Sequence, residues 1–462
     1  MSGTHRSVPR ACVVVAMLVA LSAGPSALAS ANSSQRAATG AAAQGVTKDS
    51  VKIGIAIIDY DSIKDFLDYN HGDQRAVAQS VVDDINQHGG INGRKIIPVF
   101  KEYPPIPGRE PDPLSLCTSW AEDDKVFAVV GVFIDFSGQG ILCLTREHQV
   151  IHIGHELDQP WIDESPGGVL VTPDNTKEAA AGVLVDLLGS SGRLKGKTVA
   201  VLASKNGEPR ATGTVIPALK KHKVHMGSTA ILTLTGPETE AVRSQLDAFI
   251  EKWKTQDVDT VFLSGLDVSS KSYVTQIKQA LPDAVLVTDA DSTLEQARDL
   301  VAARTQPNPY DGMISTTGLT FSERWADKSP LLQKCVDIYE KASGKKVPGP
   351  EAEVTNADGK KVQTDVAVMD FCGELFMFRT IAEKVGPNLT IKNWQKTVDD
   401  FGAIDLVSTP FASLCKGKYS ANDAFRLVSF DSKAGSSGDW KALTPVKNAN
   451  RTACAKAGAA GS

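Results

Sequence analysis

The chain has 462 residues, 42% of them hydrophobic and 22% charged, with a formal charge of −5 at pH 7. That length is enough for roughly two or three domains. The mild acidity argues against nucleic acid or an anionic membrane surface as the main partner. At the start, Arg6 and Arg10 precede an apolar run from Ala11 to Leu21 and the small-residue stretch SALAS. This is the pattern of a secretory signal peptide over residues 1–29, with cleavage expected after Ala29. The run is too short for a spanning helix, which needs about 20 apolar residues. Cys12 lies at its front, whereas a lipoprotein cysteine would follow it, so no lipid anchor is expected. An exported product is predicted, extracellular or periplasmic and associated with the cell envelope. Loss of the two arginines would take the charge from −5 to −7. Residues 30–47, Ala/Ser-rich at first, read as a disordered tether.

The segment VKIGIAIID (Val51–Asp59) alternates and then runs apolar, as a central strand of a parallel sheet does. In the next element Val77, Val81 and Ile85 recur at helical spacing with Ala78 and Val82 beside them, so one stripe must face a sheet. Asp73 can cap this helix and Gly89-Gly90 can end it. Asn92-Gly93 then forms a second tight turn before the strand Lys95–Phe100. A Pro-rich stretch, YPPIPGREPDP, follows. The βαβ rhythm continues through KVFAVVGVF (strand), SGQGILCLTREH (helix) and QVIHIGHE (strand), and VLVTPDN reads as a crossing into a second lobe. There the rhythm repeats: TVAVLAS, a helix over Glu208–Lys221, HMGSTAILTL, a helix over Glu238–Lys254, DTVFLSG, another helix and AVLVTDA. Val242, Leu246, Phe249, Ile250 and Trp253 give the Glu238–Lys254 helix one apolar face. A second crossing is expected near Asp311–Gly318, leading to long helices after Ser322. Between those helices, residues 344–364 look like an exposed polar loop. Val366–Ala382 is strongly apolar, but Asp370, Glu374 and Arg379 interrupt it, so it reads as a buried helix. A third crossing is expected near Asn393–Gly402.

The strand VKIGI, the helix after it and the turn GGINGRKI together resemble the extracytoplasmic solute-binding proteins of ABC transporters. The nearest group is the branched-chain amino-acid (leucine/isoleucine/valine-binding) type, with the periplasmic binding protein type I fold. The matching rhythm runs over most of residues 48–395, and its sharpest motif is Gly89–Arg94. The resemblance implies an α/β chain of two doubly wound, Rossmann-like lobes joined by a multi-strand hinge, with the ligand cleft between them. Residues 48–172 plus 316–395 would form the N-terminal lobe, and 173–315 plus 396–454 the C-terminal lobe.

Six cysteines remain after Cys12, an even number in an oxidising compartment, and six allow 15 connectivities. The elements suggest one. Cys117 would begin the second helix and Cys143 lies in the third, its neighbour on one face of this sheet type. Cys335 and Cys372 fall on consecutive long helices, and Cys415 and Cys454 would pin the C-terminal tail. No metal site is expected, because no two cysteines stand at C-x-x-C spacing and the histidines are scattered. No cofactor is expected either.

Ligands on such sheets bind at the carboxyl ends of the strands. That rule selects Tyr60, Asp135, Phe136, Ser137, His155 and Glu156 on lobe one, and Asn206, Asp267, Asp289 and Asp291 on lobe two. Seven of them have a structural alternative. Ser137 can cap a helix, or, as the resemblance implies, meet a ligand carboxylate. Asp289 or Asp291 can cap the following helix or, as the resemblance implies, hold a ligand ammonium group. Tyr60 and Phe136 can stack on a ligand or floor the cleft. His155-Glu156 can contact a ligand or form an ordinary loop. The chain departs from the amino-acid binders at Gly154-His155-Glu156, where those proteins carry small residues and a threonine. A polar or cationic solute, an amide or another small organic molecule therefore stays open beside an amino acid.

The expected role is a non-enzymatic, monomeric receptor that delivers a small polar solute to the membrane subunits of an ABC permease. A ligand-sensing module for a membrane receptor is the alternative. A secreted hydrolase ranks below both, since G-x-S-x-G and H-E-x-x-H are absent.

Overall fold

Val51, Ile53 and Ile55 point to one face of a strand and Ala56 and Ile58 reach the other, and all five are sealed from water. A strand apolar on both faces belongs at the centre of a parallel sheet. In the computed structural model this strand, β1 (Ser50–Ile58), runs parallel to β2 (Lys95–Tyr103) on one side and β3 (Ala128–Gly131) on the other. The structure describes residues 43–63, 72–105, 109–233, 240–266, 270–289, 293–302, 305–349, 352–355, 359, 361–363, 367–435, 437–449 and 454. The expected signal peptide, most of the tether, Asp267 and Asp291 lie outside them.

The first sheet has the order β2-β1-β3-β4-β5, completed by β4 (Ile151–Ile153) and β5 (Leu170–Val171). Helix α1 (Gln74–Gln87) starts where Asp73 accepts the Ala76 N–H at 2.9 Å, and Val77, Ala78, Val81, Val82 and Ile85 are fully buried under the sheet. Burying each such branched side chain contributes roughly 1.5–3 kcal/mol. Gly90, at φ +65°, is required: a Cβ there would lie 2.0 Å from the Arg94 carbonyl oxygen. On the opposite face pack α2 (Pro113–Thr118), α3 (Gln139–Leu142) and α4 (Gln159–Glu164), around a core holding Trp120, Phe133 and Leu144. Cys117 falls near the end of α2 rather than at its start, because Asp112 caps this helix and Pro113 opens it.

The second lobe begins with α5 (Lys177–Ser190) and β6 (Thr198–Ser204). The expected single helix over Glu208–Lys221 is instead composite: α6 (Glu208–Arg210), a π-helical turn Ala211–Val215, then α7 (Ile216–Lys221). Next come β7 (His225–Leu232), α8 (Glu240–Lys254), β8 (Thr260–Ser264), α9 (Ser270–Ala280), β9 (Val285–Thr288), α10 (Thr293–Ala302) and β10 (Ile314–Thr317). Val242, Leu246, Ile250 and Trp253 of α8 are buried against this sheet, and the Trp253 indole donates to the Ser228 carbonyl at 3.0 Å.

The chain then returns to the first lobe as α11 (Phe321–Ala326) and α12 (Pro330–Ser343). The region read as an exposed loop carries a small hairpin, β11 (Glu353–Thr355) with β12 (Lys361–Gln363). Helix α13 (Val368–Val385) places Phe371, Leu375 and Phe378 in the first core, and α14 (Ile391–Asp399) follows. The chain stays on this core past the expected crossing near residue 396. Phe401, Ile404, Val407, Leu414 and Ala421 still belong to it, with the short hairpin β13 (Gly402–Ala403) and β14 (Ser413–Leu414). Only after Ala421 does β15 (Ala424–Asp431) join the second sheet, antiparallel to β10, with β16 (Asp439–Ala442) and β17 (Lys447–Asn448) along it. The apolar residues of this stretch cover the first core, so the crossing comes after them.

The cysteines bond as Cys117–Cys143, Cys335–Cys372 and Cys415–Cys454. The second bridge staples α12 to α13 across a separation of 37 residues. Replacing both of its cysteines with serine is expected to cost about 3–4 kcal/mol through the freed chain entropy of the unfolded state. Urea unfolding checks this. An unchanged midpoint would mean that helix packing alone holds the pair.

Candidate functional site

The loop leaving β4 is closely specified. Gly154 leaves no room for a side chain, since a Cβ would lie 2.6 Å from Nε2 of His152. Glu156 takes φ 58°, in the left-handed region. Across this bend His155 is half-buried while Glu156 is exposed. The His155 ring lies between two carboxylates. Nδ1 pairs with Asp174 of the crossing segment after β5, and Nε2 faces Oε1 of Glu374 at 3.0 Å. Glu374 is wholly buried on α13, and its other oxygen accepts the backbone N–H of Gly131 at the end of β3.

These contacts set the protonation states. Burial by itself would lower the His155 pKa, but Asp174 and Glu374 outweigh it and hold the ring well above the ordinary histidine value. Burial works to raise the Asp174 pKa, yet the His155 charge prevails and holds it below the usual range. For Glu374 burial dominates, so its carboxyl is raised despite His155 and Gly131. His152, sealed on the opposite face of the sheet against Phe133, is pushed down to about 4 by burial.

The facing wall comes from lobe two. Arg210 is only 7% exposed and lies where α6 passes into its π turn. Nη1 stands 3.4 Å from Asp289, Nη2 is 3.6 Å from Asp158 of lobe one, and Nε is 3.8 Å from Glu178. Lys177, at the start of α5, reaches Glu156 at 3.4 Å and Asp158 at 3.7 Å. Burial raises the Glu178 pKa, although its carboxylate accepts the Gln159 N–H and faces Arg210. Both cations therefore bridge the lobes. Beside them the crossing segments pair as strands: Thr172 N–H donates to Tyr419 O at 3.0 Å, Ala421 N–H to Thr172 O at 2.8 Å, and Asn422 N–H to Asp174 O at 3.3 Å.

Between the walls lies a cavity of about 140 Å³. Charged groups lining it are Glu156, Asp174, Lys177, Arg210, Asp289 and Arg324, with Asn175, Thr316, Thr317, Ser408, Thr409 and Asn422 between them. Phe425, Leu319, Ala180 and Ala424 supply the apolar part. It is a polar pocket with its charges of both signs set close together.

Of the residues the strand-end rule selected, Glu156 and Asp289 line this cavity, and His155 lies directly behind Asp174. The Asp289 side chain is fully buried. It accepts the Ser264 hydroxyl at 2.6 Å and the Gly265 N–H at 3.1 Å, besides facing Arg210. Asp135 serves the fold, accepting the N–H groups of Gly140 at 2.7 Å and Ile141 at 3.2 Å to cap α3. Ser137 donates its hydroxyl to Asp135 at 2.7 Å and accepts the Gln139 N–H at 3.2 Å, so it shares the capping of α3 with Asp135. Phe136 is 52% exposed beside it. Tyr60 packs against the Trp120 core, and Asn206 is exposed on the turn after β6. None of these last five lines the cavity.

Asp174, Lys177, Arg210, Thr316, Thr317, Arg324 and Asn422 were missed. Most sit on the segments that cross between lobes, where neither strand nor helix periodicity marks them. Arg210 lies four residues beyond Asn206, the candidate at the end of β6, and one helical turn into the element that follows. Polar side chains on the first two crossings include Asp174, Thr316 and Thr317, whereas Asn422 lies beyond the crossing expected near Asn393–Gly402.

A sequence profile of the periplasmic binding protein family matches residues 68–352. Comparison with curated proteins returned no match. Among solved structures the chain is similar to a leucine-, isoleucine-, valine-, threonine- and alanine-binding protein from Brucella ovis in its closed conformation, at 14% identity and TM-score 0.61, covering 87% of this chain and 96% of that one. It is similar to a solute-binding protein from R. palustris in complex with 4-hydroxybenzoate, at 13% identity and TM-score 0.60, covering 87% and 97%. It also resembles a fatty acid ABC transporter substrate-binding protein from Thermomonospora curvata, at 16% identity and TM-score 0.59, covering 90% and 96%. At these identities the likeness is one of fold.

Proposed function

This chain belongs to the periplasmic binding protein family, and from that premise we propose that it is an exported receptor capturing a small polar solute for an ABC permease. The observation that carries the reading is the cavity itself. It lies where two parallel-sheet lobes meet, with Glu156 on one wall and Arg210 and Asp289 on the other. A solute held by one wall gains the second set of contacts only as the lobes close, so binding shifts the open–closed equilibrium by its differential affinity. The closed form is then the species that a permease would recognise. Among the described residues no helix is long and apolar enough to cross a membrane, and the signal peptide read over residues 1–29 would supply export.

The lining supports a solute rich in hydrogen-bonding groups, such as an amino acid or an amide. Hydroxyls and amides outnumber apolar side chains there. The structural relatives are described with ligands as different as leucine-type amino acids, 4-hydroxybenzoate and fatty acids, so the fold by itself does not select among them. A sensing role for a membrane receptor would use the same closure.

A thermal-shift screen of the mature protein against amino acids, amides, polyamines, urea and aromatic acids tests the reading. A true ligand at a hundredfold over its Kd stabilises by about 2.7 kcal/mol, which such a screen detects. Stabilisation by no class, together with turnover of an ester, peptide or phosphate substrate, would sink it.

A further inference from the structure

Glu374 is the one acid of α13 that is fully buried, among Phe371, Leu375 and Phe378 of the first core. A carboxylate there costs several kcal/mol unless it is paired, and helix formation gives no reason for it. Its two oxygens are aimed at specific partners: one takes the Gly131 N–H and the other faces Nε2 of His155 at 3.0 Å. The opposite nitrogen of the same ring holds Asp174. Asp174 in turn lines the cavity, and its own carbonyl accepts the Asn422 N–H that joins two crossing segments. A line of contacts thus runs from the core of lobe one through His155 to the cleft wall and the hinge.

We propose that Glu374 is a positioning residue for solute capture: by pairing with the far side of the His155 ring it fixes the Asp174 carboxylate in the cleft wall and at the hinge. The inference rests on the receptor reading above. Its consequence is that the hinge answers to pH. While His155 is protonated, Asp174 is hydrogen-bonded to it and Glu374 faces its positive charge, and the crossing segment is clamped to lobe one. When the ring loses its proton, Asp174 and Glu374 face a neutral group and the clamp weakens.

Other charged groups bear on the cluster from every side. His152 approaches from β4 and stays neutral, being buried, and Asp135 acts on it in turn. Asp370 acts on Glu374 from the same helix, and Arg324 of α11 acts on Asp174. Glu156, next in the chain, is held by Lys177. None of them lies between the ring and its two carboxylates. The sign follows from the shifts: His155 is held above its ordinary value, so its charge is in place below about pH 6.5 and is lost as pH rises through the folded-state value, while on the acid side the clamp ends where Glu374, itself raised by burial, takes up a proton.

The test uses Glu374→Gln, which keeps the size and the acceptor for Gly131 but removes the charge. His155 protonation is followed by NMR of histidine-labelled protein. Lobe opening is read without ligand as the distance between nitroxides at exposed positions on the two lobes, Gln87→Cys and Lys252→Cys. In the wild-type background the distance distribution should stay narrow through neutral pH and broaden with the same midpoint as the ring titration. Glu374→Gln should move both midpoints down together by about one pH unit or more. An unmoved His155 titration in the variant overturns the proposal, and so does a ring that titrates while the distance does not change. If the variant does not fold, the unsubstituted background still decides, because separate midpoints for ring and distance refute the coupling. Failure of every solute to bind, with this pH response intact, would count against the receptor reading alone.

Discussion

Arg210→Ala is expected to destabilise the protein by about 3–5 kcal/mol, the range for removing one partner from a buried ion pair. The guanidinium faces Asp289, whose side chain is wholly buried, and stands near Asp158 and Glu178. Without it, Asp289 keeps the Ser264 hydroxyl and the Gly265 N–H but loses its counter-charge. Denaturant unfolding gives the loss directly. Adding Asp289→Asn should restore part of it by removing the stranded charge. A loss under about 1 kcal/mol, the range of an exposed pair, would show that water screens the cluster. Because Arg210 also meets Asp158 on the other lobe, the single variant should loosen lobe closure as well.

Trp394→Ala is expected to cost a similar amount, about 3–5 kcal/mol for emptying a large buried aromatic site. The ring is fully buried, stacks on Phe378 with centroids 5.4 Å apart, and its indole N–H donates to the Gly168 carbonyl at 2.8 Å. It therefore ties α14 to α13 and to the loop entering β5. Trp394→Phe separates the two contributions. It keeps an aromatic partner for Phe378 but leaves the Gly168 carbonyl unpaired, which should cost about 1–3 kcal/mol. Equal losses in the two variants would assign the whole effect to the hydrogen bond. Urea midpoints with unchanged slopes are the measurement.

Much of the scaffold was legible in the residues. The α1 stripe, its Asp73 cap and the Gly89-Gly90 stop are local signals, and each appears in place. The interrupted apolar helix after Val366 was read as buried, and α13 is. Boundaries were less secure where a helix changes its winding, as at Ala211–Val215, since a π turn takes an extra residue and breaks the 3.6-residue spacing on which the reading relied. The late crossing after Ala421 escaped for another reason. Short irregular segments carry no period, and only their packing on the first core shows which lobe they serve.

The candidate site was legible only at its edges. The rule that ligands sit at strand ends reached Glu156 and Asp289 and brought His155 into view, but it also collected Asp135 and Ser137, whose hydrogen bonds close a turn and cap a helix. A capping aspartate and a ligand aspartate look alike in sequence, because both follow a strand and precede a helix. Which is which depends on where the carboxylate finds its N–H donors.

The sequence by itself determined the class of fold, the covalent pairing suggested by the order of the helices, and the turn GGINGRKI that sets the first two strands. Those features depend on neighbours within a few residues or on the order of elements. The tertiary structure decided which polar groups meet. His155 and Asp174 lie 19 residues apart, Glu374 lies on a distant helix, and the three come together only because β4, the first crossing and α13 converge beside the hinge. Periodicity reports how a segment packs against a sheet and is silent on which charge from a distant segment will face it, so the chemistry of the cleft emerges only when the lobes are assembled.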